Sequence, residues 1–378
     1  MNTESIASSL AIRGIFSPDS SDDACRSWSA DDAASPLTGS LTFHKLMTYI
    51  SAAAAVITIL TTGTLAIGHL FIYRQPRLQR YLVRLILTAP AFAICCAIGV
   101  AVYHATPYIL PWAELYEAFA LIAVLTLMVN LLTPTASTGA EQLIFFARPE
   151  NGGTATYVKC EFMVFQLLPV RFILTVAEII ISAAFCIGST ANHRGHLVIS
   201  IISGISTALA LVALLKFLKR HIKELKTRDK TIVGKLVCFK LIVAIQMIQR
   251  IVLNILSNAN VLNGSSKFSY HDLNVGLGPF LTAVEVMLIG LLMIYYYWPG
   301  QFRSRQLGAE VGKGDVSQVK LGVFAAAWDV VNLMDVLKGI VRAVKAKAGS
   351  SSRTGGAKMM SPQQRFDEPP QYQYQQYQ

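Results

Sequence analysis

The sequence predicts an all-α polytopic membrane protein, a bundle of seven transmembrane helices. Seven apolar stretches are almost free of charge, and each exceeds the ~18 residues needed to cross a hydrocarbon core. Hydrophobic residues make up 53% of the chain and charged residues only 15%, unlike a soluble domain. Backbone groups cannot stay unpaired in lipid, and these unbroken runs lack the alternation of barrel strands, so each run is predicted to be a helix.

The spans belong to one predicted transmembrane domain, residues 45–300. The first span begins too far along the chain to be a cleaved signal peptide. The last span closes with an aromatic belt, Tyr295 to Trp298, and Pro299-Gly300 then ends its helix. The predicted spans, in order, are Leu46–Tyr73, Leu82–Tyr103, Trp112–Leu132, Phe162–Ile187, Leu197–Leu215, Ile232–Leu256 and Val275–Trp298.

The basic residues are unevenly distributed at the span ends. Thirteen Lys and Arg lie around the connections after spans one, three and five, against two after spans two, four and six. The positive-inside rule therefore predicts an N-terminus outside and a C-terminus in the cytosol. The net charge of +11 is explained by this topology and by attraction to anionic lipid, so the bilayer and not nucleic acid is the predicted partner.

The segments outside the bundle differ in composition. Residues 1–44 are rich in Ser, Ala and Asp and are predicted to form a disordered extracellular or lumenal tail. Residues 301–347 are predicted to be a cytosolic segment with a basic amphipathic helix in the headgroup region, because Val336, Ile340 and Val344 recur at helical spacing among Lys and Arg. Residues 348–378 are predicted to be a disordered Gln- and Tyr-rich tail.

Covalent and metal chemistry have few candidates. The sequon Asn263-Gly264-Ser265 lies in a loop that the charge count places outside, so Asn263 is a candidate glycosylation site. The cysteines show neither a disulfide framework nor paired metal-ligand spacing. No metal and no cofactor is predicted.

Ionisable and amide side chains within the spans are the main functional signal, because each costs a few kcal/mol in hydrocarbon unless paired or hydrated. On span six, Gln246, Arg250 and Asn254 form one stripe at spacings of four. The helix rise places most of the charges at similar depth in the outer half of the membrane. The candidate substrate-binding residues are Glu117, Arg171, Glu178, Gln246, Gln249, Arg250, Asn254 and Glu285.

Two interpretations of these residues are open. The charges could pair and hold helix to helix, or they could line a hydrated cavity that binds a polar or anionic group. The number of polar positions on one face of span six favours a cavity. Glu114 and Trp112 are interpreted as interfacial anchors at the outer edge of span three.

Familiar seven-span chemistries are not supported. The last span has no lysine for a retinal Schiff base, and no span contains an Asp for an intramembrane aspartyl protease. A G-protein-coupled receptor usually has an acidic-Arg-aromatic triplet after span three and an Asn-Pro-x-x-Tyr sequence in span seven. The corresponding sequences are Asn130-Leu131-Leu132-Thr133 and Ile294-Tyr295-Tyr296-Tyr297-Trp298. Phosphate-cradling loops are also missing. The protein is therefore predicted not to be an enzyme.

Several sequence pieces, in order on the corresponding spans, resemble the organic solute transporter alpha-subunit family, including its fungal and plant relatives. The resemblance covers roughly residues 45–347. The pieces are Gln75-Pro76 with Gln79-Arg80-Tyr81, Leu115-Tyr116-Glu117-Ala118-Phe119, Lys159-Cys160-Glu161-Phe162, Lys235-Leu236-Val237-Cys238-Phe239-Lys240 with the stretch Gln246–Arg250, Glu285, and Asp329-Val330-Val331-Asn332-Leu333-Met334-Asp335.

The resemblance implies seven spans and transport of amphipathic organic anions such as steroid or bile-acid conjugates, without ATP hydrolysis. It also implies a possible single-span beta-type subunit, with a homo-oligomer as the alternative. Two features depart from the family: Leu333 replaces a usual proline, and the cysteine cluster of animal members after span three is missing. The sequence is compatible with a plasma membrane, an endosomal membrane or a vacuolar membrane. The alternative function is a membrane scaffold or receptor-like sensor that recruits cytosolic partners through its basic C-terminal region.

Overall fold

The computed structural model describes residues 35–136, 138–185, 190–259, 265–302 and 322–354. Within these ranges the regular structure is helical, apart from an isolated bridge between Thr38 and Leu41. The α-helices are α1 (Phe43–Phe71), α2 (Pro76–Ile86), α3 (Thr88–Ala101), α4 (Thr106–Leu132), α5 (Gly139–Ala147), α6 (Thr154–Phe165), α7 (Leu167–Ala184), α8 (Thr190–Arg228), α9 (Ile232–Asn258), α10 (Leu277–Tyr296), α11 (Val323–Val331) and α12 (Met334–Thr354).

Seven helical segments are long and apolar enough to cross a membrane, which confirms the predicted all-α, seven-span architecture. Two of them are interrupted: α2 and α3 meet at Leu87, and α6 and α7 meet at Gln166. We call the end where α1 and α4 finish and α2, α6 and α9 begin the basic end; the other is the opposite end. Which compartment each end faces stays a prediction from the loop charges.

The helix starts follow ordinary capping chemistry. The Thr42 hydroxyl accepts a hydrogen bond from the Lys45 amide and begins α1. Pro76 opens α2, where the missing amide hydrogen costs nothing. Thr138 and Glu141 form a reciprocal capping box at the start of α5. These local signals fix where the chain enters the bundle.

The bundle is organised around α4, the most buried of the seven spans in the described ranges. It packs against α2, α3, α7 and α8. A second tight group consists of α1, α3 and α10, where small residues such as Gly290 let α10 approach Thr58 and Thr62 of α1 closely. By contrast, α9 packs mainly on α10 and scarcely touches α8. A gap between α8 and α9 results.

Helices α11 and α12 are held beneath the basic end by buried ion pairs. Arg84 of α2, whose side chain is 1% exposed, contacts Asp335 at 2.8 Å from Nη1 to Oδ2. Its Nε donates to the Val330 carbonyl at 2.9 Å and its Nη2 to the Asn332 carbonyl at 2.6 Å. Every nitrogen of this guanidinium therefore has a partner on the C-terminal segment, so its burial is compensated.

A second set of contacts reinforces the first. Arg80 Nε donates to Asp329 Oδ2 at 2.8 Å, and Tyr73 donates its hydroxyl to the same oxygen at 2.6 Å. Tyr81 donates its hydroxyl to Asp335 Oδ2 at 2.8 Å. We call these six side chains the C-terminal clasp: Tyr73, Arg80, Tyr81, Arg84, Asp329 and Asp335. The loop-charge count treats Arg80 and Arg84 as topology signals, whereas the fold also uses them as structural ligands.

Helix α12 covers the residues for which the sequence predicts a basic amphipathic helix. Val336 and Ala343 are buried, whereas Leu337, Val341 and Val344 are exposed. Arg342 donates to Glu161 of α6 at 3.0 Å from Nε, and the Lys347 ammonium lies 6.0 Å from the Phe162 ring centroid. The helix thus rests on α6 by one face and presents a basic, apolar face outward. Its placement in the headgroup region stays a prediction.

We expect the clasp to make stability depend on pH. Burial alone would raise the pKa of Asp335, but the hydrogen bonds and charge of Arg84, with Tyr81 and Arg80, hold it below its usual value of 3.8. A carboxylate with a lowered folded-state pKa contributes stability that is complete above the unfolded pKa and is lost as pH falls through the folded pKa.

Thermal unfolding in detergent, measured on the purified wild type and on the Asp335→Asn variant, tests this pH dependence of stability. The wild type should be the more stable at pH 6, and the difference in melting temperature should shrink steadily below about pH 4, the ordinary range of an aspartate. A difference that stays constant between pH 6 and pH 3 would contradict the linkage.

Candidate functional site

A cavity of about 420 Å³ opens at the opposite end of the bundle. Its walls come from α3, α4, α7, α8, α9 and α10, so it lies in the gap that the loose packing of α9 leaves. Apolar side chains including Phe92, Leu110, Leu253 and Pro279 line part of it, and polar side chains converge on the rest. This mixture of apolar wall and few polar groups is typical of small-molecule sites.

Glu114 of α4 connects the charges of the cavity. One of its carboxylate oxygens pairs with Arg171 of α7, and the other accepts a hydrogen bond from Nη2 of Arg250 of α9 at 2.7 Å. A single carboxylate therefore joins three helices. Both arginines compete for one negative charge, and their environments decide which of them is available to a ligand.

Arg171 is enclosed. Its side chain is 4% exposed, its Nη1 donates to the hydroxyl of Ser203 on α8, and Nη2 lies 3.7 Å from Glu178. Two carboxylates and a hydroxyl thus neutralise this cation. Such a closed pair holds helices together, as one of the two interpretations from the sequence expects.

Arg250 is open. Its side chain is 45% exposed, it lines the cavity, and its ion pair in the described residues is the one with Glu114. An exposed pair of this kind contributes little to stability. The guanidinium keeps several of its five donors for other acceptors. It is the cation in this cluster that a solute can reach.

Two amide side chains on the same helix face the cavity with unused hydrogen-bonding atoms. Gln249 donates from Nε2 to the Gly278 carbonyl at 2.7 Å, which leaves its buried Oε1 without a partner among the described residues. The buried Nε2 of Gln246 likewise lacks a partner in the described part of the chain. Buried polar atoms are nearly always hydrogen-bonded, so these two indicate a place for a ligand or water.

The structure brings together most of the predicted site residues. Glu178, Gln246, Gln249 and Arg250 line the cavity, and Arg171 lies directly behind Glu114. Glu117 follows Glu114 by one turn of α4 and interacts electrostatically with Arg250, without lining the cavity.

Three other predicted residues fall elsewhere. Glu285 lies one turn beyond the lining residue Thr282 on α10. The side chain of Asn254 and the sequon residue Asn263 lie outside the described residues. Their roles stay predictions.

Glu114 is the residue that the sequence interpretation misplaced. Counting apolar residues starts the third span at Trp112, which makes Glu114 an interfacial anchor. The helix in fact begins at Thr106, so Glu114 lies two turns inside it, beneath Pro107 and Pro111. Its spacing of three from Glu117 on one helix face was the available signal.

Helix α8 supplies polar residues that the sequence interpretation also left out. Its helix begins at Thr190, before the predicted start of the span at Leu197, and these extra turns, about two, carry Asn192 and His196 into the cavity wall. His196 Nε2 is hydrogen-bonded to the Ser182 hydroxyl at 2.9 Å. Within the described ranges, no group of three or more His, Cys, Asp or Glu side chains is arranged to hold a metal ion.

Comparison with known proteins gives one family. The family model described as organic solute transporter Ostalpha matches residues 47–302, more than half of the chain. The match contains the first span from residue 47 onward, the other six spans completely, and every described residue of the cavity. No solved structure matches the chain.

Proposed function

This chain belongs to the organic solute transporter Ostalpha family, and on that premise we propose that it carries amphipathic organic anions of steroid or bile-acid type across a membrane. The cavity at the opposite end is the proposed binding site. Movement would be down a gradient or coupled to an ion, because the sequence has no phosphate-cradling motif for ATP. We place this multi-pass protein in a plasma, endosomal or vacuolar membrane, with the cavity facing the exoplasmic side.

The observation that carries the proposal is an accessible cation beside unpartnered amide atoms. Arg250 is half exposed at the cavity, and Gln246 and Gln249 present buried atoms that the described protein does not satisfy. A sulfate or carboxylate head would accept from Arg250 and from Gln246 Nε2, while a solute hydroxyl would donate to Gln249 Oε1. The scaffold alternative expects these side chains packed dry against a neighbouring span, and their position at the cavity does not favour it.

Arg171 and Arg250 share the Glu114 carboxylate, so a bound anion can replace Glu114 as the partner of Arg250. Without a solute, Glu114 pairs with both Arg171 and Arg250, and Glu178 supplies the second negative charge. An anionic head that pairs with Arg250 would replace one oxygen of Glu114, which keeps its pair with Arg171. No charge is left alone in the membrane at any stage, so the exchange avoids the cost of an isolated buried ion. Arg171 is thus a positioning residue, and Glu178 balances its charge.

The apolar part of the solute would lie on the apolar wall. Phe92, Leu110 and Leu253 border the cavity, and its volume of about 420 Å³ is in the range that accepts a drug-sized ligand. The gap between α8 and α9 gives a lateral route from the lipid, because His196 and Ser200 of α8 face Gln246 and Arg250 of α9 across it. A single-span beta subunit or a second copy of this chain would cover the gap between α8 and α9.

The test is efflux of a labelled steroid sulfate from vesicles that contain the purified protein. Arg250→Gln removes a charged hydrogen-bond donor worth about 1.5–3 kcal/mol, so the half-saturating concentration should rise about 10- to 100-fold. Arg250→Lys keeps the charge but loses the planar fork and should fall in between.

Lys267→Gln is the matched control, since Lys267 is an exposed cation at the same end but outside the cavity. Its flux should equal the wild type. Unchanged flux in both Arg171→Gln and Arg250→Gln, with melting temperatures close to the wild type, would remove the proposed binding role.

A further inference from the structure

A second and larger concavity lies at the basic end, between α5, α6 and the later half of α8. Its volume is about 830 Å³. From this groove we infer a second site, independent of the transport cavity: it binds one anionic phospholipid from the leaflet at the basic end. The headgroup would sit among the groove's cations and an acyl chain would follow its apolar wall.

The charge of the groove is of one sign. Lys159 of α6 and three residues of α8 supply four cations, and no Asp or Glu is among the lining residues in the described ranges. The α8 residues are Lys216, Lys219 and Arg220. None of the four forms an ion pair with a described side chain, although other ion pairs hold this end together. Basic pockets between transmembrane helices on the cytoplasmic side bind anionic lipid headgroups.

The apolar wall continues from these cations along the membrane-spanning part of α8. Leu209 and Val212 line the groove and are 47% and 48% exposed, and Met163 of α6 faces them. Leu209 lies about 10 Å from Lys216 along the axis by helix rise, toward the middle of the span. The polarity of the groove therefore runs from cationic to apolar in the same direction as a lipid, from headgroup to chain.

The cationic part is held in place by a rigid floor. Phe146 and Tyr157 stack with their ring centroids 4.2 Å apart, and Phe217 and His221 pack onto them. Arg220 lies against the turn at Gly152, whose φ of +97° and missing side chain allow the guanidinium to approach. A groove whose shape is fixed before binding loses less entropy on taking up a ligand.

The occupant is a lipid rather than a soluble anion because half of the groove is apolar and faces outward from the bundle within a membrane span. Neither water nor an inorganic phosphate would cover that apolar wall. An acyl chain covers it, and the neighbouring cations then set the preference for an anionic headgroup over a zwitterionic one.

Native mass spectrometry of the full-length protein in detergent, titrated with phosphatidylserine or phosphatidylcholine, tests the proposal. The wild type should retain one phosphatidylserine in preference to phosphatidylcholine. Lys216→Gln/Lys219→Gln should weaken that binding about 10- to 30-fold, as expected for removing two charges beside an anionic lipid. Lys216→Arg/Lys219→Arg should retain it.

The matched control is Lys223→Gln/Lys226→Gln, which removes the same charge from exposed positions of the same helix outside the groove. This variant should bind phosphatidylserine like the wild type, and all variants should melt at similar temperatures. If both double variants lost phosphatidylserine binding equally, the site would be overturned, because the lipid would then be held by diffuse electrostatic attraction to the basic end. Full competition by water-soluble glycerophosphoserine at equal concentration would overturn the lipid as occupant.

Discussion

Replacing Arg84 with methionine should lower the free energy of unfolding by about 3–5 kcal/mol, because it removes one partner from a buried ion pair and leaves Asp335 with the more distant Arg80, 3.7 Å away, as its cation in the described residues. Arg84 is 1% exposed, and three groups of the C-terminal segment depend on it. The variant would leave the Asp335 carboxylate with fewer partners and the Val330 and Asn332 carbonyls without their donor. Helices α11 and α12 should then detach from the basic end.

Thermal and SDS-induced unfolding of the purified protein measure the loss, and limited proteolysis after residue 302 reports the detachment. Arg77→Met is the matched control on the same helix. Arg77 is exposed, and its side chain makes one hydrogen bond within the described ranges, 2.8 Å from Nη1 to the Ala136 carbonyl, so its loss should cost about 1 kcal/mol or less. Equal destabilisation by the two substitutions would show that Arg84 acts only through its charge at the membrane surface.

Lys235→Met should cost a similar 3–5 kcal/mol for the same reason. The Lys235 ammonium, in a side chain 1% exposed, lies 2.6 Å from Asp229 Oδ2 and 3.1 Å from Gln301 Oε1. Asp229 also accepts hydrogen bonds from the amide and hydroxyl of Thr231 in the turn that opens α9. Without Lys235 this carboxylate is a buried charge that lacks its cation, and the start of α9 loses its side-chain contact with Gln301 beyond α10.

A double variant separates the ion pair from simple packing. Adding Asp229→Asn to Lys235→Met removes the stranded charge, so part of the lost stability should return in the same unfolding assays. Lys240→Met is the control, because Lys240 is a half-buried cation of the same helix that forms no ion pair with a described residue. Failure of the double variant to regain any stability would contradict the assigned pair.

The spans were predictable because lipid leaves few alternatives to a long apolar helix, but their limits were not. Apolar counting ends at a charge, so the second span was predicted to begin at Leu82, whereas α2 begins at Pro76. The helix can begin before Leu82 and include Arg80, because its partner Asp329 comes from a segment 249 residues further along the chain. Contacts between such distant positions leave no trace in local periodicity.

Only part of the candidate site could likewise be predicted from the sequence. The spacing of four between Gln246 and Arg250 predicted that they share a face, and both line the cavity. What spacing could not provide is the identity of the neighbour across the gap. Glu114 lies at the outer edge of predicted span three and His196 lies just before predicted span five, and their role depends on how α4 and α8 are packed against α9.

The clasp also sets an order of events during synthesis. Asp335 follows Arg84 by 251 positions, so at 5–20 residues per second a ribosome needs about 12 to 50 s to deliver the counter-ion after the cation has been made. Spans three to seven are synthesised within that interval. A message truncated anywhere between codons 303 and 328 would encode every span and still yield a bundle whose two guanidinium groups never meet their acids. Such a product should be recognised by membrane quality control and degraded, although it contains every described residue that lines the cavity at the opposite end.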